Sequence, residues 1–419
     1  MTAFSKADIL LPKDTNMEKW AVVACDQYTS EPEYWAETEQ NVGYAPSALR
    51  LILPEVYLES EDVDKRIEAI HKDMRAYLES GVFEEFKNSL VFVERVQSDG
   101  LVREGLVGCI DLEQYDYRKG SRSQVRATEA TVVERIPPRI KIRNGAPIEL
   151  PHIMILIDDT DKTVIEPLSE RKESFRKLYD FRLMQGSGSI TGRLVDDESA
   201  DAAIAALEAL GDLGAFNAKY GLHESQPLVY AMGDGNHSLA TAKEYYEQLK
   251  RANPEADFSG HPARYALVEI VNLHSPALRF EAIHRIVTET NVNLLLEELG
   301  DILALSKEPS DQKITIVGNG TKRDIYVHTK LSKLAVGSLQ TALDRILPEI
   351  GGKIDYIHGE EVVERLAQAE DAVGFLLPDM GKEELFPTVI CDGALPRKTF
   401  SMGHAADKRY YVEARKIEL

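Results

Sequence analysis

One stretch of the chain, PLVYAMGDGNHS at residues 227–238, passes from an apolar run through two glycines into an amphipathic segment. Its first half predicts a buried strand, and the residues from 238 to 250 predict an α-helix with Ser238 as its N-cap. The two glycines permit a tight turn and a close approach by a ligand. The first N–H groups of a helix and its dipole attract anions. The turn at residues 233–238 is therefore the candidate active site.

The side chains of this turn allow two interpretations. Asp234 could bind Mg²⁺, and His237 could contact a phosphate or move a proton. Gly235, Asn236 and Ser238 would then line the anion site. Alternatively, Asp and His make only local hydrogen bonds in a capped strand-to-helix turn. The spacing matches neither a Walker A loop nor a dinucleotide fingerprint, so the motif alone leaves the two interpretations equal.

The composition restricts the class of protein. Among 419 residues, 43% are hydrophobic and 28% charged, which is typical of a globular protein, and the length predicts two or three domains or one elaborated α+β domain with a satellite. Lys plus Arg number 49 and Asp plus Glu 70, so the net charge is 49 − 70 = −21. A surface this negative repels phosphate backbones and anionic lipids. Nucleic acid and membrane surfaces are therefore not expected as partners.

The cysteines and the N-terminal sequence indicate a compartment. Cys25, Cys109 and Cys391 are scattered and form no CxxC pair, so neither a zinc site nor a disulfide framework is indicated. We find no signal-peptide pattern and no apolar run long enough to span a bilayer. These features predict a cytoplasmic protein, and they leave its oligomeric state open.

The remaining periodicity predicts an α+β fold. Val63, Ile67, Ile70 and Met74 line one face of a helix over 61–80. Further helices are predicted at 197–210, 292–299 and 360–369, and strands at Trp20–Ala24, 90–97, 102–112, 153–157, 264–272, 313–317 and 372–377. The polar segment 186–192 is predicted to be a flexible loop. The predicted elements contain no regular βαβ series, so a Rossmann sheet is not indicated.

Several other polar groups are candidates for binding. Arg126 and Thr128 would share one face of a strand, with Glu129 and Thr131 on the other. Guanidinium, hydroxyl and carboxylate groups together could hold a polar substrate, although the pattern alone favours a solvated strand edge. Asp26 follows a predicted strand. The pairs His284–Arg285 and Lys398–Thr399 are candidates too, and each pair by itself is more typical of a structural role.

Taken in order, four of these segments resemble the domain-of-unknown-function 1015 family (DUF1015). Its D-G-H-H-R-Y motif corresponds to residues 234–239, and an R-H-E-x-T-like element to residues 126–131. P-T-H-R and P-P-K-S-T-F elements correspond to residues 281–285 and 395–400. The chain departs from these motifs at Thr128, Asn236 and Ser238, which replace His, His and Arg.

The D-G-x-H signature is also similar to that of ParB/sulfiredoxin-like free serine kinases. This resemblance implies a mixed-sheet ParB/sulfiredoxin-like core elaborated with additional α/β segments. It places the core and the Asp-Gly-Asn-His motif in residues 1–260, and a C-terminal α+β region packed on the same site in residues 261–419. In those kinases a Glu activates the serine hydroxyl, while the Asp and His of the motif bind metal and phosphate.

Three hypotheses follow. The first is a kinase that uses Mg²⁺ and ATP or ADP to phosphorylate the hydroxyl of a small metabolite such as free L-serine. Glu129 would be its base, Asp234 its metal ligand, and His237, Arg285 and Lys398 its phosphate or substrate contacts. The second is a non-catalytic sensor of a nucleotide or phosphometabolite, which the motif departures favour. The third, a ParB-like DNA-associated protein, is opposed by the net charge.

Overall fold

A computed structural model describes residues 2–129, 136–224, 226–318 and 320–418. It divides the chain into two compact units. Unit 1 comprises Met1–Leu278 together with His404–Leu419, and unit 2 comprises Arg279–Gly403. In sequence, unit 2 is therefore an insertion into unit 1. Within the described ranges, no helix combines the length and the apolar character that crossing a bilayer requires.

Unit 1 contains a large mixed sheet and several two-stranded sheets. Its strands are β1 Phe4–Ser5, β2 Ala7–Pro12, β3 Val22–Val23, β4 Phe83–Ser89, β5 Val91–Val96, β6 Val102–Asp111, β7 Tyr115–Asp116, β8 Val125–Arg126, β9 Ile148–Glu149, β10 Met154–Ile157, β11 Arg176–Arg182, β12 Ser189–Leu194, β13 Tyr230–Asp234, β14 Tyr265–Asn272, β22 Tyr410–Tyr411 and β23 Arg415–Lys416. The large sheet has the order β11-β12-β5-β6-β14-β10-β13-β8-β7, with β1 paired to β6. β14 and β10 are parallel, whereas β13 runs antiparallel to β10 and parallel to β8.

Helices cover both faces of this sheet. They are α1 Met17–Trp20, α2 Pro32–Val42, α3 Val63–Glu79, α4 Ile136–Arg143, α5 Glu166–Arg171, α6 Asp197–Leu210, α7 Leu213–Tyr220 and α8 Asn236–Ala252. Successive side chains of a strand point to opposite faces. In β14, Val268 therefore joins a core with α6 and α8, whereas Leu267 joins a second core with α2 and α3. The sheet thus lies between two apolar layers.

Buried charges attach residues 404–418 to the sheet. Glu269 of β14 is 2% exposed and lies 3.6 Å from Arg103 Nε and 3.4 Å from Arg409 Nε. Arg409 Nη2 also donates to Glu413 Oε2 at 2.8 Å. Because unpaired charges are costly in an interior, these opposite charges hold each other in place. They fix the backbone that carries Lys408 and Tyr411.

Unit 2 has its own five-stranded antiparallel sheet, of order β18-β17-β20-β16-β19. A short pair, β15 and β21, stands apart from it. The strands are β15 Phe280–Ala282, β16 His284–Thr288, β17 Lys313–Gly318, β18 Thr321–Tyr326, β19 Lys353–Ile357, β20 Val373–Leu376 and β21 Phe400–Met402; the helices are α9 Val292–Leu303, α10 Ala335–Ile350, α11 Glu360–Leu366 and α12 Lys382–Asp392. The α+β class with a large mixed sheet is therefore confirmed.

Three local predictions are wrong in whole or in part. Residues 189–194 form β12 between β5 and β11, because buried Ile190 and Gly192 pack into the sheet despite the polar composition. Of the strand predicted over Trp20–Ala24, only Val22–Val23 form a strand, β3, because Trp20 ends the helix α1, whose start the side chain of Asn16 caps. Ser238 is not an N-cap, since α8 begins at Asn236 and Gly235 holds the capping position.

Candidate functional site

The turn after β13 depends on a glycine. Gly235 has φ 79°, a left-handed conformation that side chains other than glycine rarely adopt. A Cβ atom there would lie 3.1 Å from Ile153 Cα. Gly235 therefore lets β13 pass directly into the 17-residue helix α8 beside the start of β10. Since Gly235 has no side chain to cap the helix, the first N–H groups of α8 face the turn.

Asp234 lies at the end of β13, in the middle of this turn. Its Oδ1 accepts a hydrogen bond from the Gly235 N–H at 3.0 Å. Its Oδ2 is buried and lies 3.3 Å from Lys408 Nζ, which is an ion-pair distance without hydrogen-bond geometry. Asn236 Oδ1 is also buried, with no hydrogen-bond partner in the described part of the chain. The turn thus presents polar atoms that the protein itself satisfies incompletely.

His152, which the sequence did not single out, connects the turn to two other segments. One ring nitrogen, Nε2, lies 3.1 Å from Ser238 Oγ and 3.6 Å from Asp26 Oδ2. The other, Nδ1, lies 2.8 Å from the Tyr411 hydroxyl. The imidazole is 4% exposed. Residues from four distant parts of unit 1 therefore meet at one ring.

The charges around His152 change its protonation. Burial alone would lower the pKa of His152, but the negative charge and hydrogen bond of Asp26, with a contribution from Asp234, outweigh it and raise the pKa. Burial would raise the pKa of Asp26, but the charge and hydrogen bond of His152 hold it well below its usual range. Asp26 and His152 thus form a charged pair that favours an imidazolium near neutral pH.

The arrangement is unsuited to a nucleophilic serine. In a Ser-His-Asp triad, serine and carboxylate contact opposite nitrogens of the imidazole. Here Ser238 and Asp26 both approach Nε2 of His152, and Tyr411 takes Nδ1. No group of three or more His, Cys, Asp or Glu side chains that could hold a metal is found among the residues described. The positive groups Lys408 and His152 beside a helix N-terminus suit an anion better.

The second predicted element lies beside the turn. Thr128 Oγ1 donates to the Met232 carbonyl of β13 at 2.7 Å, and Glu129 follows it directly. The guanidinium of Arg126 is turned toward the carbonyls of Ser123 and Gln226 instead. Thr131 falls outside the described residues. The structure therefore brings the Thr128–Glu129 segment, but not the Arg126 guanidinium, to the strand that carries Asp234.

Four predicted site residues belong to unit 2. Arg285 is fully buried, and its guanidinium donates to Gln340 Oε1 and to the carbonyls of Ile283, Arg397 and Lys398. His284 Nδ1 accepts from the Leu377 N–H at 3.2 Å, and burial lowers the pKa of His284. Thr399 Oγ1 donates to the Pro396 carbonyl. These contacts place Arg285 and the loop of Lys398 and Thr399 together within unit 2.

A family model described as "Protein of unknown function (DUF1015)" matches residues 7–346. The chain belongs to this family. The match confirms the family that the four motifs predicted, and it covers all of them except the element at residues 395–400. Comparison with curated proteins finds no match.

The solved structures to which this DUF1015 protein is similar share little sequence identity with it. A mutant free serine kinase in complex with AMP is 13% identical, with a TM-score of 0.40 over 74% of this chain and 92% of that one. The truncated SbnI from Staphylococcus aureus is 10% identical, with a TM-score of 0.36 over 73% and 85%. A conserved hypothetical protein from Pyrococcus furiosus is 11% identical, with a TM-score of 0.35 over 74% and 95%.

Sequence reasoning missed three residues of the site in this DUF1015 chain: His152, Lys408 and Tyr411. His152 directly precedes a predicted strand, and a polar residue at the end of a strand is a feature that could have identified it as a candidate. Lys408 and Tyr411 lie in a segment without a motif. Their role depends on contacts with residues far away in sequence, which periodicity does not report.

Proposed function

We propose that unit 1 carries a nucleotide-dependent phosphotransferase site that phosphorylates the hydroxyl of a small metabolite. One observation carries the proposal: the N-terminus of α8 faces a turn in which Lys408, His152, Asp26 and Asp234 converge. Phosphoryl transfer requires positioning and neutralisation of charge more than covalent catalysis by the protein. A helix N-terminus with two cations and two carboxylates supplies both.

In the proposed reaction, each residue of the site has a role. The N–H groups of Asn236 and His237, together with Lys408, would hold phosphate oxygens of ATP or ADP. Glu129 would accept the proton of the acceptor hydroxyl. As the new bond from the acceptor oxygen to phosphorus forms, the bond from phosphorus to the nucleotide oxygen breaks, and the shortened nucleotide leaves with that electron pair.

Asp234 fits a magnesium ligand. Mg²⁺ is commonly bound by one or two carboxylates and completes its shell with water and phosphate oxygens. Asp234 offers a buried oxygen without a hydrogen-bond partner among the described residues. Asp26 lies close enough to be a second ligand candidate, since Asp26 and Asp234 both raise the pKa of the His152 imidazole. When bound, the ion would neutralise charge on the phosphates.

The finer assignments extend this proposal. A ParB/sulfiredoxin-like core and free L-serine as acceptor are what the D-G-x-H resemblance implies. Phosphate or substrate binding by His284, Arg285, Lys398 and Thr399 in unit 2 stays a prediction, as does a contribution from Arg126 and Thr131.

The test is to incubate the full chain with Mg²⁺, ATP or ADP, and a pool of amino acids, hydroxy acids and neutral alcohols, and to follow ³¹P NMR. We expect a new phosphomonoester signal. Asp234→Asn and Glu129→Gln should each reduce its rate by about 100-fold or more. Asp257→Asn, an exposed loop carboxylate, serves as the matched control. Full turnover in both site variants would contradict the assignment.

A second candidate is a non-catalytic sensor of a nucleotide or phosphometabolite. The ion pair between Lys408 and Asp234 favours it, because the ammonium group lies where a metal would approach. Saturable nucleotide binding by calorimetry without any phosphorylated product would support the sensor.

A further inference from the structure

A cavity of about 140 Å³ lies beside His152 in unit 1. Much of its wall consists of buried apolar side chains from several segments: Leu51, Leu53, Met74, Ala146, Ile148 and Ile153. An apolar cavity of about 150 Å³ is large enough for benzene. The dimensions therefore suit one small organic molecule with an apolar body.

One wall of the cavity is polar. His152, Ser238 and Tyr411 line it together, and they are already joined by hydrogen bonds through the imidazole. Ser238 belongs to the first turn of α8. A ligand hydroxyl at this wall would therefore lie next to the turn that we propose holds the phosphates. The apolar side chains of the lining would contact the carbon skeleton.

Each charged side chain in the wall has an opposite charge beside it. Arg139 is paired with Glu55, Arg143 Nη2 lies 2.5 Å from Glu149 Oε2, and His152 Nε2 lies 3.6 Å from Asp26 Oδ2. A charged ligand would have to separate one of these pairs or enter without a counter-charge, and either is costly at a buried site. The wall therefore favours a ligand without net charge and without separate ionic groups.

We propose that this cavity is the acceptor pocket, and that it takes a neutral alcohol with an apolar body about the size of benzene. The inference rests on the proposed phosphotransferase function, because that function supplies the reason for a hydroxyl beside the turn. It narrows the acceptor class, since a zwitterion such as free L-serine matches neither the apolar walls nor the paired charges.

Direct binding tests the pocket independently of catalysis. The full chain is titrated without nucleotide, by ligand-observed NMR, with benzyl alcohol, isoamyl alcohol and L-serine. We expect both alcohols to bind at least about tenfold more tightly than serine, a difference of about 1.4 kcal/mol. Tighter binding of serine would overturn the ligand class.

Two variants locate the binding. Ala146→Leu fills the cavity and should weaken benzyl alcohol binding by about tenfold or more, whereas Ala202→Leu adds the same bulk to an exposed position of α6 and should not. Half-buried Leu58 also lines the cavity, so Leu58→Ala enlarges it and should improve binding of the bulkier phenethyl alcohol. Equal affinities in wild type, Ala146→Leu and Leu58→Ala would place the alcohols elsewhere and overturn the pocket.

A separate assay with ATP or ADP and Mg²⁺ distinguishes the two proposals. Binding that these variants alter, together with phosphorylated alcohol, supports both. The same binding without any phosphorylated product supports the pocket and contradicts the phosphotransferase. Phosphorylation of serine with no binding of alcohols contradicts the pocket and supports the phosphotransferase.

Discussion

Two polar clusters of this protein differ in what their polar atoms contact. In unit 2, the guanidinium of Arg285 donates to three backbone carbonyls and to Gln340. In unit 1, the turn after β13 leaves Asp234 Oδ2 and Asn236 Oδ1 buried without hydrogen bonds to described residues. Both clusters were selected from the sequence as binding residues.

This difference distinguishes polar groups that stabilise a loop from polar groups that could bind a ligand. A buried polar group that the protein satisfies contributes to stability, because its removal leaves the partners unpaired. A group that the protein leaves unsatisfied reduces stability, and it is available to a ligand. We therefore expect substitutions in unit 2 to change mainly stability, and substitutions in the turn to change mainly binding and turnover.

The largest expected effect follows from Arg285→Ala. It leaves three carbonyls without their donor in the interior of unit 2, which should cost about 3 kcal/mol or more. Both tryptophans, Trp20 and Trp35, lie in unit 1, so fluorescence does not report unit 2. Hydrogen exchange of the β16 backbone amides does report the stability of unit 2. The protection of these amides against exchange should fall by about 100-fold in Arg285→Ala.

Arg345→Ala, at an exposed position of α10, is the matched control and should change stability by less than about 0.5 kcal/mol. If Arg285→Ala kept full protection of β16 while it weakened nucleotide binding, the contrast between the two clusters would fail. Arg285 would then be a ligand contact, as the sequence predicted.

An intermediate effect concerns the charged pair of Asp26 and His152. Because the pKa of His152 is raised in the folded protein, its contribution to stability is complete below about pH 6.5 and is lost as the pH rises through the folded value. The wild type should therefore be more stable at about pH 6.5 than at a pH above the raised pKa of His152. Asp26→Asn should remove about 1–3 kcal/mol at the lower pH and flatten this loss.

Denaturant unfolding followed by tryptophan fluorescence measures this effect, since Trp20 and Trp35 both pack in unit 1. Asp8→Asn, at an exposed position of β2, controls for loss of one acidic charge. An equal loss between the two pH values in wild type and Asp26→Asn would show that the pair does not control this transition.

The smallest expected effect is on nucleotide affinity. If Lys408 contacts phosphates, Lys408→Met should weaken ADP binding by about tenfold in calorimetry. Lys416→Met, in the same C-terminal segment but paired with Glu85, should leave it unchanged. Unchanged affinity in Lys408→Met would mean that the ammonium group serves only to balance the charge of Asp234.

Local sequence signals predicted much of the fold. The helices over 61–80 and 197–210 are confirmed by α3 and α6, and the strands over 90–97 and 102–112 by β5 and β6, because each signal lies within the element itself. Family membership followed from four separated motifs. The Asp234 turn was placed correctly between a strand and a helix for the same local reason.

The parts that sequence reasoning missed depend on distant contacts. Tyr411 and His152 lie 259 positions apart and meet only through tertiary structure. The return of residues 404–418 to unit 1 has no local signal, since it is held by buried pairs such as that of Arg409 and Glu269. The polar composition of residues 186–192 predicted a loop, but residues 189–194 form β12, because pairing on both edges of this strand overrides the preference of Gly and Ser for loops.

The insertion of unit 2 sets an order of events during synthesis. Asp26, His152 and Asp234 leave the ribosome before unit 2, whereas Lys408 and Tyr411 follow it. The nascent chain therefore carries an incomplete candidate site for as long as the ribosome takes to translate residues 279–403. Only the arrival of the later segment adds the Lys408 ammonium group and the hydroxyl that orients the imidazole, so the protein acquires this site late in its own translation.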